Sequence, residues 1–217
     1  RIHNEQCIKF VLEDKMNTLT YVSDNKIYLN LTNKCSNNCE FCIRHTGDGV
    51  LDYYLWLDKE PTADEVIEDL KKYDLSKYKE AVFCGFGEPL YAFDVLLKVA
   101  AWLKEHGMKT RLNTNGQAGL ISGPDTAMKL KGLIDTVSIS LNASDAEKYN
   151  KICHCKFNEE GFYEMLRFAV NCKKEGIRTV MSVVDVIGNE EIEKCRAVAK
   201  QAGVEFRVRT YVQSYEQ

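Results

Sequence analysis

The apolar residues of this chain switch repeatedly between a period of two and a period of three to four, and that alternation limits the fold more than any other feature. Lys26 to Thr32 (KIYLNLT) reads as a strand, paired in a hairpin with Leu19 to Val22 across the turn-forming trio Ser23-Asp24-Asn25. Further strands are expected at Ala81 to Cys84, Lys109 to Asn113, Ile134 to Leu141, Ile177 to Val186 and Val204 to Thr210. Between them the helical period predicts helices beginning at Pro61-Thr62, then Phe93 to His106, Pro124 to Lys131, Glu159 to Glu175 and Asn189 to Ala202. Thr62 with Glu65 has the spacing of a capping box, and Gly107, Gly176 and Gly203 stand where helices stop. Strands alternating with helices imply a parallel sheet with right-handed crossovers. Periodicity does not separate an open doubly wound sheet from an incomplete barrel, but both place chemistry at the C-terminal ends of the strands. No composition break interrupts the pattern. We therefore expect an N-terminal extension with a hairpin strand over residues 1–24, one core domain over 25–211 and a tail over 212–217.

Composition excludes several classes. With 45% hydrophobic and 28% charged residues, the chain is no disordered, collagen-like or coiled-coil protein. A net charge of -3 argues against nucleic-acid binding through bulk positive charge, though a local basic groove stays open. No apolar stretch is long enough to span a membrane, and Arg1 to Phe10 lacks the apolar core of a secretory signal. A cytoplasmic location is expected. The absence of an initiator Met, with extra residues before Asn17, suits a piece cut from a longer protein.

Nine cysteines are an odd number for a chain too large to be a disulfide scaffold. Three are clustered as Cys35-Ser36-Asn37-Asn38-Cys39-Glu40-Phe41-Cys42, directly after a strand. Three thiolates within eight residues can converge on one centre. Tetrahedral zinc would take His45 as a fourth ligand, whereas an iron–sulfur cubane would keep one iron open. Cys153-His154-Cys155 resembles a ligand pair but lacks the partners a second cluster needs, so these are read as ordinary thiols. Trp56, in the long connection from Asn33 to Glu60, is a candidate lid residue.

Other strand ends carry polar groups. In Cys84-Gly85-Phe86-Gly87-Glu88-Pro89 the glycines allow close approach of backbone to a ligand, and Glu88 offers acceptors to an ammonium group. Asn113-Thr114-Asn115-Gly116 is a turn or a site. Ser138, Ser140 and Asn142 fall on one side of their strand, which suggests a ligand or water. Asp185 is a helix cap or a site residue. Arg207 and Arg209 share a face and either bind an anion or neutralise nearby acids; Arg44, just past the cysteines, is equally open.

The C-x3-C-x2-C triad followed by G-x-G-E-P and T-N-G resembles the radical S-adenosylmethionine (SAM) superfamily, in its compact, activating-enzyme-like form. The segments Leu29 to Asn33, Phe41 to Arg44, Leu55 to Leu57, Thr179 to Asp185 and Phe206 to Arg209 are similar to the radical SAM proteins associated with TatD-type hydrolases. The resemblance implies an incomplete (β/α)6 barrel of parallel strands with outer helices. It implies a [4Fe–4S] cluster on Cys35, Cys39 and Cys42 and SAM as cofactor. Phe41 would lie near the adenine, Gly85, Gly87, Glu88 and Pro89 around the SAM amino group, and Asn113, Asn115, Ser140 and Asn142 in the rest of the cofactor site. From their positions at strand ends and just past the cysteines, and not from the resemblance, Arg44, Asp185, Arg207 and Arg209 are the candidates to face the substrate. The implied activity is reductive cleavage of SAM to a 5′-deoxyadenosyl radical that abstracts hydrogen from an unknown substrate, a peptide or protein among the candidates. The implied partners are a flavodoxin or ferredoxin as electron donor and a TatD-type hydrolase. Two alternatives remain: nucleic-acid or nucleotide modification with a TatD-type partner, and a non-catalytic zinc module.

Overall fold

The computed structural model of the chain describes residues 18–211. The expected N-terminal extension up to residue 17 and the expected 212–217 tail lie outside that range. β1 (Thr20–Ser23) and β2 (Lys26–Leu29) form the expected hairpin. Its two-residue turn, Asp24 and Asn25, has positive φ at both positions, as a hairpin turn of that length requires. The connection that follows contains a small two-stranded ladder, β3 (Gly49–Val50) with β4 (Tyr53–Tyr54). Then come α1 (Ala63–Leu70), β5 (Ala81–Phe83), α2 (Phe93–Glu105), β6 (Thr110–Thr114), α3 (Ala118–Ile121), α4 (Thr126–Leu130), β7 (Thr136–Ser140), α5 (Ala146–Cys153), α6 (Glu159–Lys174), β8 (Arg178–Val184), α7 (Asn189–Ala202) and β9 (Glu205–Arg209). The capping box of Thr62 and Glu65 is formed, and Gly107, Gly176 and Gly203 all take positive φ after their helices. The reading from sequence passed over α5, whose N-cap is Asp145 accepting from Lys148 N.

The main sheet runs β1-β2-β5-β6-β7-β8-β9, parallel except for the β1–β2 pair. After β1 each strand is added on the same side of its predecessor. That excludes the doubly wound order, in which the direction reverses. With right-handed crossovers it places the helices on one face. Ile27, Leu29, Phe83, Leu112, Val137, Ile139, Met181 and Val183 pack on that face against Val66, Leu96, Val99, Tyr149, Phe168 and Ile192 of the helices. The register puts Cys84, Asn113, Ser138, Ser182, Arg207 and Arg209 on the opposite, largely polar face.

The sheet is not closed, since β1 and β9 are its two edges. It curls nonetheless. Five strand spacings, about 24 Å in a flat sheet, separate β9 from β2. Yet the Arg207 guanidinium feels Tyr28 of β2 and Glu80 just before β5. The polar face is therefore concave, and the C-terminal strand ends form its mouth. A second small core of Tyr21, Val50, Leu55 and Phe86, with Trp56 and Tyr53 against it, fixes the long connection beside the β1–β2 edge.

Candidate functional site

The three clustered cysteines follow β2 on a loop that docks along the C-terminal end of α5. Asn38 N donates to Cys153 O at 2.9 Å, Glu40 N to Ile152 O at 3.1 Å, and Lys156 N to Ser36 O at 2.8 Å. Cys42 N closes a turn on Cys39 O, and Ile43–His45 continues it as a 3-10 turn. Burial, with the Glu88 charge, pushes the Cys35 thiol up to about 12, and burial also raises Cys42. A hydrogen bond with the Cys153 thiol and burial push Cys39 well above the ordinary range. Such thiols ionise only beside a strong cationic centre. Among the described residues no three His, Cys, Asp or Glu stand together closely enough to hold a single metal ion, so a zinc site with His45 is not built. Three thiols along one short loop are the donor set that a cubane with one open iron would take.

Side chains that the sequence reading missed hold this loop. Asn37 Nδ2 donates to the Tyr149 hydroxyl at 2.9 Å, and Asn37 Oδ1 accepts from Gln117 Nε2 at 2.8 Å. Gln117 Nε2 also reaches the Tyr149 hydroxyl at 2.9 Å and Cys155 Sγ at 3.2 Å. Asn37 N donates to Cys35 Sγ at 3.4 Å. Cys153 and Cys155 are thus buried thiols bordering the triad loop, and the Cys-His-Cys pattern was their only sequence signal.

The Gly85 to Pro89 segment follows β5. A Cβ on Gly85 would lie 2.0 Å from Asn30 Oδ1, and one on Gly87 would lie 2.1 Å from the Thr32 carbonyl oxygen. Close packing of the β2 end leaves no room for a Cβ at either glycine, a constraint independent of any ligand approach. Glu88 is 4% exposed. Its Oε1 accepts from the Thr114 hydroxyl at 2.7 Å and Leu90 N at 3.2 Å, and its Oε2 from Asn115 N at 2.7 Å. A carboxylate has about four lone-pair sites, so one remains. Burial outweighs these bonds and pushes Glu88 up to about 7. Pro89 is buried at the start of a 3-10 turn that Glu88 caps. Phe41 is half-buried in the cysteine loop.

At the β6 end Asn115 ties the site together. Its Nδ2 donates to Ser36 Oγ at 2.8 Å, and its Oδ1 accepts from Gln117 N at 3.0 Å. Asn113 and Asn142 differ: the Oδ1 of each is buried without a partner. Asn142 sits at positive φ just past β7, with its Nδ2 3.7 Å from Cys153 Sγ, and Ser140 is half-buried at the strand end. These two, with Gln117 Oε1, are the orphaned buried side-chain acceptors among the described residues, and they leave places for donors such as ligand hydroxyls.

Arg44 stands over the Trp56 ring at 5.1 Å, and its charge reaches Cys35 and Cys42. Trp56 packs edge-on against Phe86 with centroids 4.9 Å apart and donates to Asp48 Oδ1 at 3.1 Å, so it is pinned and is no lid. Asp185 begins a 3-10 turn and accepts from Tyr211 N at 2.9 Å, a clasp on the chain leaving β9. Arg209 stands on the concave face near Cys84, and Arg207, two residues earlier and exposed, stands near Arg111.

Comparison with known proteins agrees with this geometry. The profile of the radical SAM superfamily matches residues 29–202, well over half of the chain. A Methanocaldococcus jannaschii protein, named as a candidate glycyl-radical enzyme activating enzyme, is 26% identical over 173 residues, covering 76% of this chain and 65% of that protein. Streptococcus suis SuiB, solved bound to S-adenosylmethionine, superposes with a TM-score of 0.67 at 18% identity, over 87% of this chain and 40% of SuiB. Native anSMEcpe, solved with bound AdoMet, superposes with a TM-score of 0.66 at 19% identity, over 88% of this chain and 52% of that one. The chain thus spans less than two thirds of each of these relatives. On the profile match over most of its length, the protein belongs to the radical SAM superfamily.

Proposed function

We propose that Cys35, Cys39 and Cys42 hold a [4Fe–4S] cluster and that SAM binds between that loop and the mouth of the curled sheet, a partial (β/α)6 barrel. When bound, the cluster supplies the electron that cleaves SAM reductively, and the resulting 5′-deoxyadenosyl radical takes a hydrogen atom from the substrate. The observation that carries this reading is that Asn113 Oδ1 and Asn142 Oδ1, with Gln117 Oε1 a third, are buried acceptors without a partner. Both acceptors would take ligand hydroxyls. Glu88 would accept the methionine ammonium with its remaining lone pair, close to Gly85 and Gly87. Ser140 would line the same pocket, and Phe41 would cover the adenine. Asn115 and Pro89 would hold the walls in place. The protein's part is to bind, orient and exclude water.

A peptide or protein substrate agrees with the activating-enzyme relative, whose own activity extends to this chain only as part of this proposal. A cytoplasmic flavodoxin or ferredoxin would supply the electron. A TatD-type hydrolase is the partner suggested by the sequence motifs. Among the described residues no helix is long and apolar enough to cross a membrane.

The test is anaerobic reconstitution with iron and sulfide, followed by reduction in the presence of SAM. About four irons per chain and release of 5′-deoxyadenosine are expected. One zinc per chain with no iron uptake would reject the proposal.

A further inference from the structure

The concave face carries more positive charge than its own acids neutralise. Arg207 and Arg209 stand two residues apart on the same side of β9, opposite Ser182 and Val184 of β8. Arg207 lies within reach of the Arg111 and Arg209 guanidiniums as well as Glu80 and Tyr28. Glu80 is already shared: it pairs with Arg111 at 3.1 Å and with Lys26 at 3.4 Å. The acid at the end of β8, Asp185, is turned to the Tyr211 backbone. Arg209 has its Nε buried without a hydrogen-bond partner, and among the described residues no ion pair is formed by Arg207 or Arg209. The Arg209 Nε is withdrawn from water with no acceptor, which is costly, and an anion beside the half-buried Arg209 and the exposed Arg207 would complete the site. Two planar forks about 7 Å apart along one strand face can grip one oxyanion from two sides.

We propose that Arg207 and Arg209 form an oxyanion subsite for the molecule on which the enzyme acts, taking a carboxylate or phosphate group of that substrate. This deepens the preceding reading, because the subsite shares the concave face with the SAM pocket. Arg209 lies on the Cys84 side, towards the strand ends, and Arg207, two residues earlier on β9, is exposed on the same face. A substrate anchored here would present the rest of its length to the mouth. Arg111 stays paired with Glu80 and sets the floor of the subsite.

The test is calorimetric titration of the reconstituted, SAM-loaded enzyme with two probes, inorganic phosphate and glutarate. Saturable binding of at least one is expected, and the tighter probe identifies the kind of group recognised. Arg209→Gln should raise the midpoint at least tenfold. Arg207→Gln, at an exposed side chain, provides the same test should the first variant fold poorly. Lys194→Gln, which breaks the exposed pair with Glu190 on α7, is the control and should leave the midpoint unchanged. Absence of saturable binding in the unaltered enzyme, or equal midpoints in all variants, would overturn the subsite. Release of 5′-deoxyadenosine by the unaltered enzyme is scored separately, so a failed subsite is not confused with a failed cofactor assignment.

Discussion

Asn37 and Gln117 are 80 positions apart in sequence, and their carboxamides meet at 2.8 Å in the buried space beneath the cysteine loop. Tyr149 closes the arrangement by accepting from both. The loop that carries the triad is thereby fixed from two sides, by the end of β6 and by α5. Tyr149→Phe removes the shared acceptor and leaves a buried Asn37 Nδ2 N–H without it, while Gln117 Nε2 keeps Asn37 Oδ1 and Cys155 Sγ. We expect a loss of about 1–3 kcal/mol in equilibrium unfolding, with the midpoint lowered and the denaturant slope unchanged. A midpoint equal to that of the parent protein would mean that the network does not hold the loop.

The cysteines separate into two groups by the same geometry. Replacing Cys35, Cys39 or Cys42 with Ala should abolish iron retention after anaerobic reconstitution. Cys153→Ala and Cys155→Ala should keep about four irons per chain. They should still lower stability by roughly 1 kcal/mol, because both thiols are buried against the loop and its partners. Iron analysis on the five variants decides the matter, and loss of iron in either of the latter two would enlarge the ligand set.

Much of this was legible in the sequence. The six parallel strands, the hairpin and the Thr62 cap came from periodicity and short-range chemistry, which depend on neighbours along the chain. The direction of strand addition did not, because it is set by which helix packs on which strand. α5 was missed because its helical pattern is short and rich in polar residues. In the site, the triad and Glu88 were recognisable as motifs. Ser36, Asn37, Gln117 and Tyr149 were not, since a buried amide contact between distant residues leaves no pattern in either segment. The sequence reading of Gly85 and Gly87 concerned ligand approach, and their crowding by Asn30 and Thr32 of the neighbouring strand end was not legible in it.

Gly85 therefore makes a sharp test of packing. Asn30 cannot swing aside: its Nδ2 donates to Leu55 O at 2.8 Å and Thr18 O at 3.2 Å, and its Oδ1 accepts from Phe86 N at 3.4 Å. Gly85→Ala forces a methyl group into that space and should cost about 1–3 kcal/mol before any ligand is added. Thermal unfolding of the metal-free protein measures it. An unaltered melting temperature would mean that the crowding can relax.

Glu88 gives the pH dependence its sign. Its folded-state value of about 7 lies above the ordinary 4.5, because burial disfavours the carboxylate more than its three hydrogen bonds favour it. A group raised in this way contributes stability that is fully present below the unfolded value and is lost as pH rises through the folded one. The metal-free protein should thus lose on the order of 3 kcal/mol between about pH 4.5 and about pH 7 through this residue, relative to Glu88→Gln, which does not ionise. Urea unfolding of both proteins across that interval measures the difference, and parallel curves would reject a buried, raised carboxyl. Added SAM should reverse the effect. An ammonium beside Glu88 favours the ionised form, so binding below about pH 7 should expel a proton. Calorimetry in buffers of different ionisation enthalpy would record that proton for the parent protein and none for Glu88→Gln.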